Sequence, residues 1–356
     1  MSREFEVILT FAVRSGASDV HLKCDRPPIF RRHGALLTQG PRLDEAMIQR
    51  LVEAILKPHQ VEHLRVHGEV DASYCHPEIG RFRANVFHQR GTLGAVLRVV
   101  KPDVPRIGAL QLPPVVERLA AERRGLLLVT GATGSGKSTT MAAIVQHINE
   151  TRAAHVVTIE DPIEFHFADA KSVVNQREVG ADTHGFASAL RAALRQDPDV
   201  ILVGEMRDLP TIETALHAAE TGHLVISTLH TIDAVETVNR VVAVFPTEQQ
   251  RLVRSQLASM LRGVISQRLV PRKDDQGRVP ACEVLVSTQL VRDLIEDPDR
   301  TPELRDAIAG GGATYGMQTF DQSLMALMRQ GLITYEEALA QSTTPSDFAL
   351  RASGIA

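Results

Sequence analysis

The sequence predicts an α/β protein in two parts: a small α+β domain with an antiparallel sheet, then a larger domain with a parallel-rich sheet. Three observations carry this. The chain has 356 residues, enough for two domains at the usual 100–200 residues each. Its first hundred residues hold several short strands that alternate polar and apolar side chains. From about residue 115 wholly apolar runs alternate with helical patterns, the signature of βαβ units around a parallel sheet. The expected boundaries are 1–100 for the first domain, 101–114 for a linker and 115–356 for the second domain, with a C-terminal helical region from about 247.

In chain order, residues 3–16 read as an amphipathic helix stopped at Gly16, and Asp19–Lys23 as a half-buried strand. Pro27-Pro28 breaks the pattern, and residues 29–37 read as a hairpin turning near His33-Gly34. Residues 44–56 have helical period; strand signals return at 69–74, 81–87 and 94–100. Lys101-Pro102-Asp103-Val104-Pro105 through Pro113-Pro114 is rich in proline and turn residues, as linkers are. Beyond it, strands are expected at 126–130, 155–160, 199–204 and 223–229. Helices are expected after residue 137, near 185–196 and 209–221, and over 247–266, followed by a charged hairpin tip at 273–277 and at least three more helices.

Composition narrows the function classes. Net charge is −4 and there is no Trp, so neither a dominant basic footprint nor an aromatic stacking platform for nucleic acid is present in the sequence, and no nucleic-acid partner is expected. Cys24, Cys75 and Cys282 lie far apart with no C-x-x-C, which argues against a zinc ribbon and suits a reducing compartment. The charged N-terminus does not suit a signal peptide, and no apolar run approaches a membrane span, so a soluble protein is expected.

The chemistry centres on Gly131-Ala132-Thr133-Gly134-Ser135-Gly136-Lys137-Ser138, a complete G-x-x-x-x-G-K-[ST]. The glycines let the backbone turn several N–H groups onto one anion, the lysine reaches the outer phosphates, and the Ser138 hydroxyl holds Mg²⁺. Leu126–Thr130 before it reads as a buried strand. The helix after it, from Ser138 and Thr139 onward, adds the partial positive charge of its N-terminus. The motif therefore predicts binding of a nucleoside triphosphate with Mg²⁺.

Further stretches end at the carboxyl edges of expected strands, where open α/β sheets bind ligands. Thr158-Ile159-Glu160-Asp161-Pro162-Ile163-Glu164 delivers acids, among them Glu164 as candidate general base; an acidic loop merely solvated at a strand end is the other reading. Asp199–Gly204 reads as a strand tipped by Glu205, a Walker B pattern whose carboxylate can hold Mg²⁺; an exposed acid after a strand is the other reading. Thr221–Thr231 carries His223 and His230, with His230 where a γ-phosphate sensor would sit; a structural histidine bonding backbone is the other reading for each. Arg81, Arg83 and Arg98 alternate out of first-domain strands, as surface charge or as groups presented to a neighbouring subunit's nucleotide.

Taken together, these stretches resemble the PilT family of type II/IV secretion ATPases, the retraction motors of type IV pili, over nearly the whole chain. The phosphate loop matches the family's Walker A, with Ala132 where proline is usual. Residues 158–165 match its Asp box, 201–208 its Walker B, and 219–223 with 229–231 its His box. Val174–Val179 and Gly316–Thr319 also fit. The resemblance implies a RecA-like motor domain behind a PAS-like domain, and a homohexameric ring in the cytoplasm, peripheral to the inner membrane, pulling on a pilus platform protein. It implies ATP as the nucleotide, Glu164 as general base, Glu205 as the Mg²⁺-holding acid, His230 as phosphate sensor, and Arg83 and Arg98 as arginines reaching the nucleotide. Extension and type II secretion ATPases carry a four-cysteine zinc module after Walker B; here only Cys282 lies in that region, which favours retraction. In the C-terminal domain, Leu290–Ile295 keeps only Arg292 and the apolar pattern of the motif usual in retraction motors. The alternative is therefore an accessory retraction paralogue beside a partner motor. A nucleic-acid motor and a nucleotide-switched adaptor with little turnover are the other readings.

Overall fold

The computed structural model describes residues 3–32, 34–100 and 104–354; His33, at the expected hairpin turn, and Lys101–Asp103 of the expected linker lie outside them. The chain forms two compact units, one taking in Met1–Asp103 with Glu164–His166 and the other Val104–Ile163 with Phe167–Ala356. Residues 104–114, expected as linker, count with the second unit, and Ile107 and Leu112 are buried there.

The first unit runs α1 (Arg3–Arg14), β1 (Asp19–Lys23), β2 (Ile29–Arg32), β3 (Ala35–Thr38), α2 (Glu45–Ile55), α3 (Pro58–His67), β4 (Glu69–His76), β5 (Gly80–Gln89) and β6 (Thr92–Val99). Its six strands form an antiparallel sheet in the order β3-β2-β1-β6-β5-β4. Alternate residues Phe82, Ala84 and Val86 of β5 enter one core with Phe5 and Leu9 of α1 and Ile48 and Val52 of α2, as period-two and period-3.6 patterns require. The Asp44 carboxylate accepts from Met47 N–H at 2.7 Å and starts α2. Helix α3 was not expected from the sequence: only Leu64 of it is buried, so it carries no apolar stripe to read.

The second unit runs α4 (Val115–Ala120), β7 (Gly125–Thr130), α5 (Lys137–Thr151), β8 (His155–Glu160), β9 (Val173–Glu178), α6 (Phe186–Ala193), β10 (Val200–Val203), α7 (Leu209–Glu220), β11 (Leu224–Leu229), α8 (Ala234–Ala243), α9 (Gln250–Met260), β12 (Leu261–Pro271), β13 (Arg278–Val286), α10 (Gln289–Glu296), α11 (Leu304–Gly310), α12 (Gly312–Tyr315), α13 (Phe320–Arg329), α14 (Tyr335–Gln341) and α15 (Pro345–Ala352). Seven strands form one sheet, β13-β12-β7-β11-β10-β8-β9, parallel except for β13. Leu126 and Leu128 of β7 share a core with Ile201, Val225, Ile212 and Leu257, while Leu127 and Val129, which point the other way, are equally buried. Strands covered on both faces are mostly apolar, which is why these runs are legible.

One expectation is corrected here. The helix expected over 247–266 stops at Met260, and the chain continues as β12, parallel to β7 and paired along its length with β13. Leu252, Leu257, Leu261 and Ile265 fit a helical spacing, but Val264 and Ile265 are β-branched and the edge of β7 is open to pairing, and tertiary pairing wins. Along α13, Phe320, Leu324, Met325 and Leu327 are buried.

Candidate nucleotide site

β7 lies inside the sheet between β11 and β12, so the loop leaving it is flanked by the carboxyl ends of two parallel strands. The loop needs its glycines. Gly131 has φ of +140°, and a Cβ there would collide with the Gln267 carbonyl oxygen and the Ser135 hydroxyl. Gly136, at φ +93°, caps α5. Lys137 is buried, and its Nζ donates to the carbonyls of Gly131 at 2.8 Å and Ala132 at 2.9 Å. Ser135 Oγ is buried with no hydrogen-bond partner. A buried hydroxyl inside a loop of backbone amides at a helix start is the donor set a phosphate chain uses, so the residues fit that group.

The floor of the loop comes from β12. Gln267 is 3% exposed; its Oε1 accepts from Thr140 Oγ1 at 2.9 Å, and Ser266 Oγ accepts from Thr130 Oγ1 at 2.9 Å. Sequence reading missed Gln267 because it placed the preceding residues in a helix, and nothing local marks a strand whose partner lies more than 130 residues away. Next to it a cavity of about 350 Å³ is lined by Gly136, Thr139, Gln267, Leu269, Arg272 and Arg278, among others.

Glu205 and His230 end adjacent strands and come together. Glu205 Oε2 lies 2.8 Å from Arg207 Nη2 and 3.9 Å from His230 Nε2. Thr228 Oγ1 donates to the Gly204 carbonyl at 2.8 Å, and Met206 N–H donates to the Thr228 carbonyl at 3.2 Å, which stitches the two strand ends. Burial lowers the His230 pKa, with the Lys137 and Arg207 charges acting the same way against Glu205. The ring is therefore neutral at pH 7, with one donor and one acceptor nitrogen. His223, at the far end of β11, has Nδ1 at 2.9 Å from the Ala218 carbonyl, a structural role.

After β8, Glu160 Oε1 accepts from Thr158 Oγ1 at 2.6 Å and from Gln176 Nε2 at 3.1 Å. Glu164 is exposed and belongs to the first unit. So do Arg83 and Arg98, which sit directly opposite each other on β5 and β6; Arg98 Nε donates to Asp19 Oδ1 at 2.8 Å. The structure thus gathers the phosphate loop, Ser138, Glu205 and His230 in one unit and carries Glu164, Arg83 and Arg98 on the other.

Behind the His230 loop, Glu283 of β13 is 6% exposed and accepts from Ala234 N–H, at the start of α8, at 2.9 Å. Burial pushes its pKa from 4.5 up to about 7; the Ala234 amide lowers it, Asp233 raises it further, and Arg305 and Arg268 oppose. Between those values the unfolded chain releases a proton that the native chain keeps. Stability therefore falls as pH rises from 4.5 to 7, by about 3 kcal/mol in all. Glu283→Gln should melt like the parent at pH 4.5 and higher than it at pH 8; thermal scans giving the two proteins the same pH slope would refute the assignment.

A doubly covered parallel sheet, a glycine-rich loop between an inner strand and a helix, and an acid and a histidine on neighbouring strand ends define a RecA-like P-loop ATPase. The type II/IV secretion system protein model matches residues 2–297. The type IV pilus retraction ATPase PilT of Pseudomonas aeruginosa is 46% identical over 342 residues, 96% of this chain and 98% of that protein. The type IV pilus ATPase PilU of the same organism is 38% identical over 98% of this chain and 91% of its own length. A crystal structure of the pilus retraction motor PilT with bound ADP superposes with a TM-score of 0.88 at 47% identity, covering 98% of this chain and 99% of that one. The chain belongs to the type II/IV secretion system protein family and, within it, to the PilT group.

Proposed function

We propose that this chain is an ATP-hydrolysing motor that powers retraction of type IV pili, and with it twitching motility. The observation that carries the reading is the phosphate loop: a buried lysine and an unpartnered buried serine hydroxyl in a glycine-built cradle. It stands within a chain aligned end to end with a retraction ATPase.

In this reading Gly131–Ser138 and Thr139 wrap the phosphates, and the 350 Å³ cavity beside Thr139 takes the nucleoside. Ser138 and Glu205 would hold Mg²⁺, which would supply positive charge to neutralise the charge that develops on the transferring phosphoryl group. Among the described residues no group of three or more His, Cys, Asp and Glu forms a cage. Mg²⁺ needs none, because it keeps waters and phosphate oxygens and takes one or two protein ligands. Glu164 draws the proton from the attacking water, neutral His230 donates to a phosphate oxygen, and Arg83 and Arg98 supply positive charge. Glu164, Arg83 and Arg98 stand on the first unit, and in this reading the working form is a homohexamer. Among the described residues no helix is long and apolar enough to cross a membrane. In this reading the ring works from the cytoplasmic side against an inner-membrane platform protein.

The accessory reading is favoured by one feature, the divergent stretch Leu290–Ile295, and implies a paralogous partner motor. Both are tested in a strain lacking every other retraction ATPase. Restored retraction of surface pili by this chain alone supports the motor; retraction only beside a second ATPase establishes the accessory role. Pili that retract normally in a strain deleted for this gene and its paralogues would end both.

A further inference from the structure

The edge of the sheet opposite the phosphate loop gathers arginines. β7 and β12 are parallel and begin there at Gly125 and Leu261, and antiparallel β13 ends there at Val286. Between these strand ends, α4 and the start of α10 lies a cavity of about 600 Å³ lined by Arg118, Arg123, Arg124, Arg262 and Arg292, with Glu122 the single acid. With five arginines against one glutamate, the lining carries four net positive charges.

The arrangement is held by the backbone. Arg262 Nε donates to the Arg124 carbonyl at 3.0 Å, Ser287 N–H donates to the Arg262 carbonyl at 3.0 Å, and Arg292 Nε donates to Ser287 Oγ at 3.3 Å. Gly125 makes room for it: at φ +109° a Cβ would come within 2.8 Å of Arg262 Cγ and Nε. Arg118 Nη2 is tied to the Tyr315 carbonyl. The guanidinium groups of Arg123 and Arg124 are exposed and make no hydrogen bond or ion pair among the described residues. Glu122 reaches only Arg262, at 3.9 Å. Like charges held together without acids to match them repel, and burial together with Arg292 and Arg124 lowers the Arg262 pKa, Glu122 opposing. A surface arginine spreads into water at little cost; several facing one concavity focus their field into it.

We propose that this cavity is a second anion site, which takes a phosphate-bearing ligand of at least two negative charges at the end of β7 remote from the nucleotide. One carboxylate would leave most of the charge unmatched, whereas a compact pair of phosphates matches it and offers the oxygen pairs that guanidinium forks grip two at a time. The six residues of β7 separate this site from the phosphate loop by roughly 20 Å, so one ligand cannot fill both. A soluble polyphosphate and an anionic lipid headgroup share this chemistry.

The test uses the full chain with its nucleotide site saturated by ADP. Inorganic pyrophosphate is titrated calorimetrically, and in parallel the protein is sedimented with phosphatidylglycerol–cardiolipin vesicles or phosphatidylcholine vesicles. The variant is Arg123→Ser with Arg124→Ser, two exposed side chains without partners, so basal ATP hydrolysis should be unchanged. The expected result is one pyrophosphate per chain beyond ADP, weakened at least tenfold in the variant and partly restored by Arg→Lys at both positions. Anionic vesicles retained by the parent, released by pyrophosphate and lost in the variant identify a lipid source; pyrophosphate binding without vesicle binding identifies a soluble one. Neither probe binding, equal binding by parent and variant, or an oligoglutamate peptide outcompeting pyrophosphate would overturn the proposal.

Discussion

Lys137→Ala should reduce ATP turnover by about 10²–10³-fold, on the order of 3–4 kcal/mol of transition-state stabilisation, and weaken nucleotide binding as well. The ammonium group is buried and bound only 2.8 and 2.9 Å from two carbonyls of its own loop. Its charge is thus held where phosphate oxygens would lie, with little water to screen it, and an interaction of this kind cannot be replaced by solvent entering the gap. Steady-state phosphate release and titration with a fluorescent ATP analogue measure the two effects separately. Turnover within threefold of the parent would mean that the phosphates lie elsewhere. Pilus retraction should be lost with turnover, since the motor has no other energy source in this reading.

Glu205→Ala should give the complementary result: turnover down by about 10²–10³-fold with nucleotide affinity changed only a few-fold. In the proposed reading binding rests on the loop, whereas the carboxylate would act on the Mg²⁺ that stabilises the transferring phosphoryl group. The control is Arg207→Ala. Its pairing with Glu205 at 2.8 Å is a contact of a side chain that is 69% exposed, so losing it should leave the fold intact. If Glu205→Ala hydrolyses ATP at the parent rate, the metal assignment is wrong; if Arg207→Ala is as inactive as Glu205→Ala, the ion pair rather than the carboxylate matters.

The sequence disclosed those parts of the fold and site whose reasons are local. Strands β7, β10 and β11 are buried at every position and so are apolar except at Thr130, Ser227 and Thr228, whose hydroxyls are hydrogen-bonded. The phosphate loop shows because three of its glycines take positive φ, a need that only glycine meets cheaply. Glu205 and His230 could be placed because each follows such a strand directly. What stayed hidden depends on distant partners. β12 has helix-like spacing and becomes a strand only because β7 offers it an edge. Gln267 becomes the loop's floor only through that pairing. Helix α3 gives no periodic signal because almost all of it faces solvent. The arginine cluster draws Arg118, Arg124, Arg262 and Arg292 from segments that no sequence window spans.

Every residue of β7 is in register with β11, and from Leu126 onward with β12 as well, so the strand that bears the phosphate loop has no free side along which to loosen. Its amide protons should exchange with deuterium only when the whole unit opens, and no faster with ATP than without it. Force generated at the loop must then travel as the motion of a stiff beam pivoting at its ends, and the flexing parts of the engine are the loops at the two rims of the sheet.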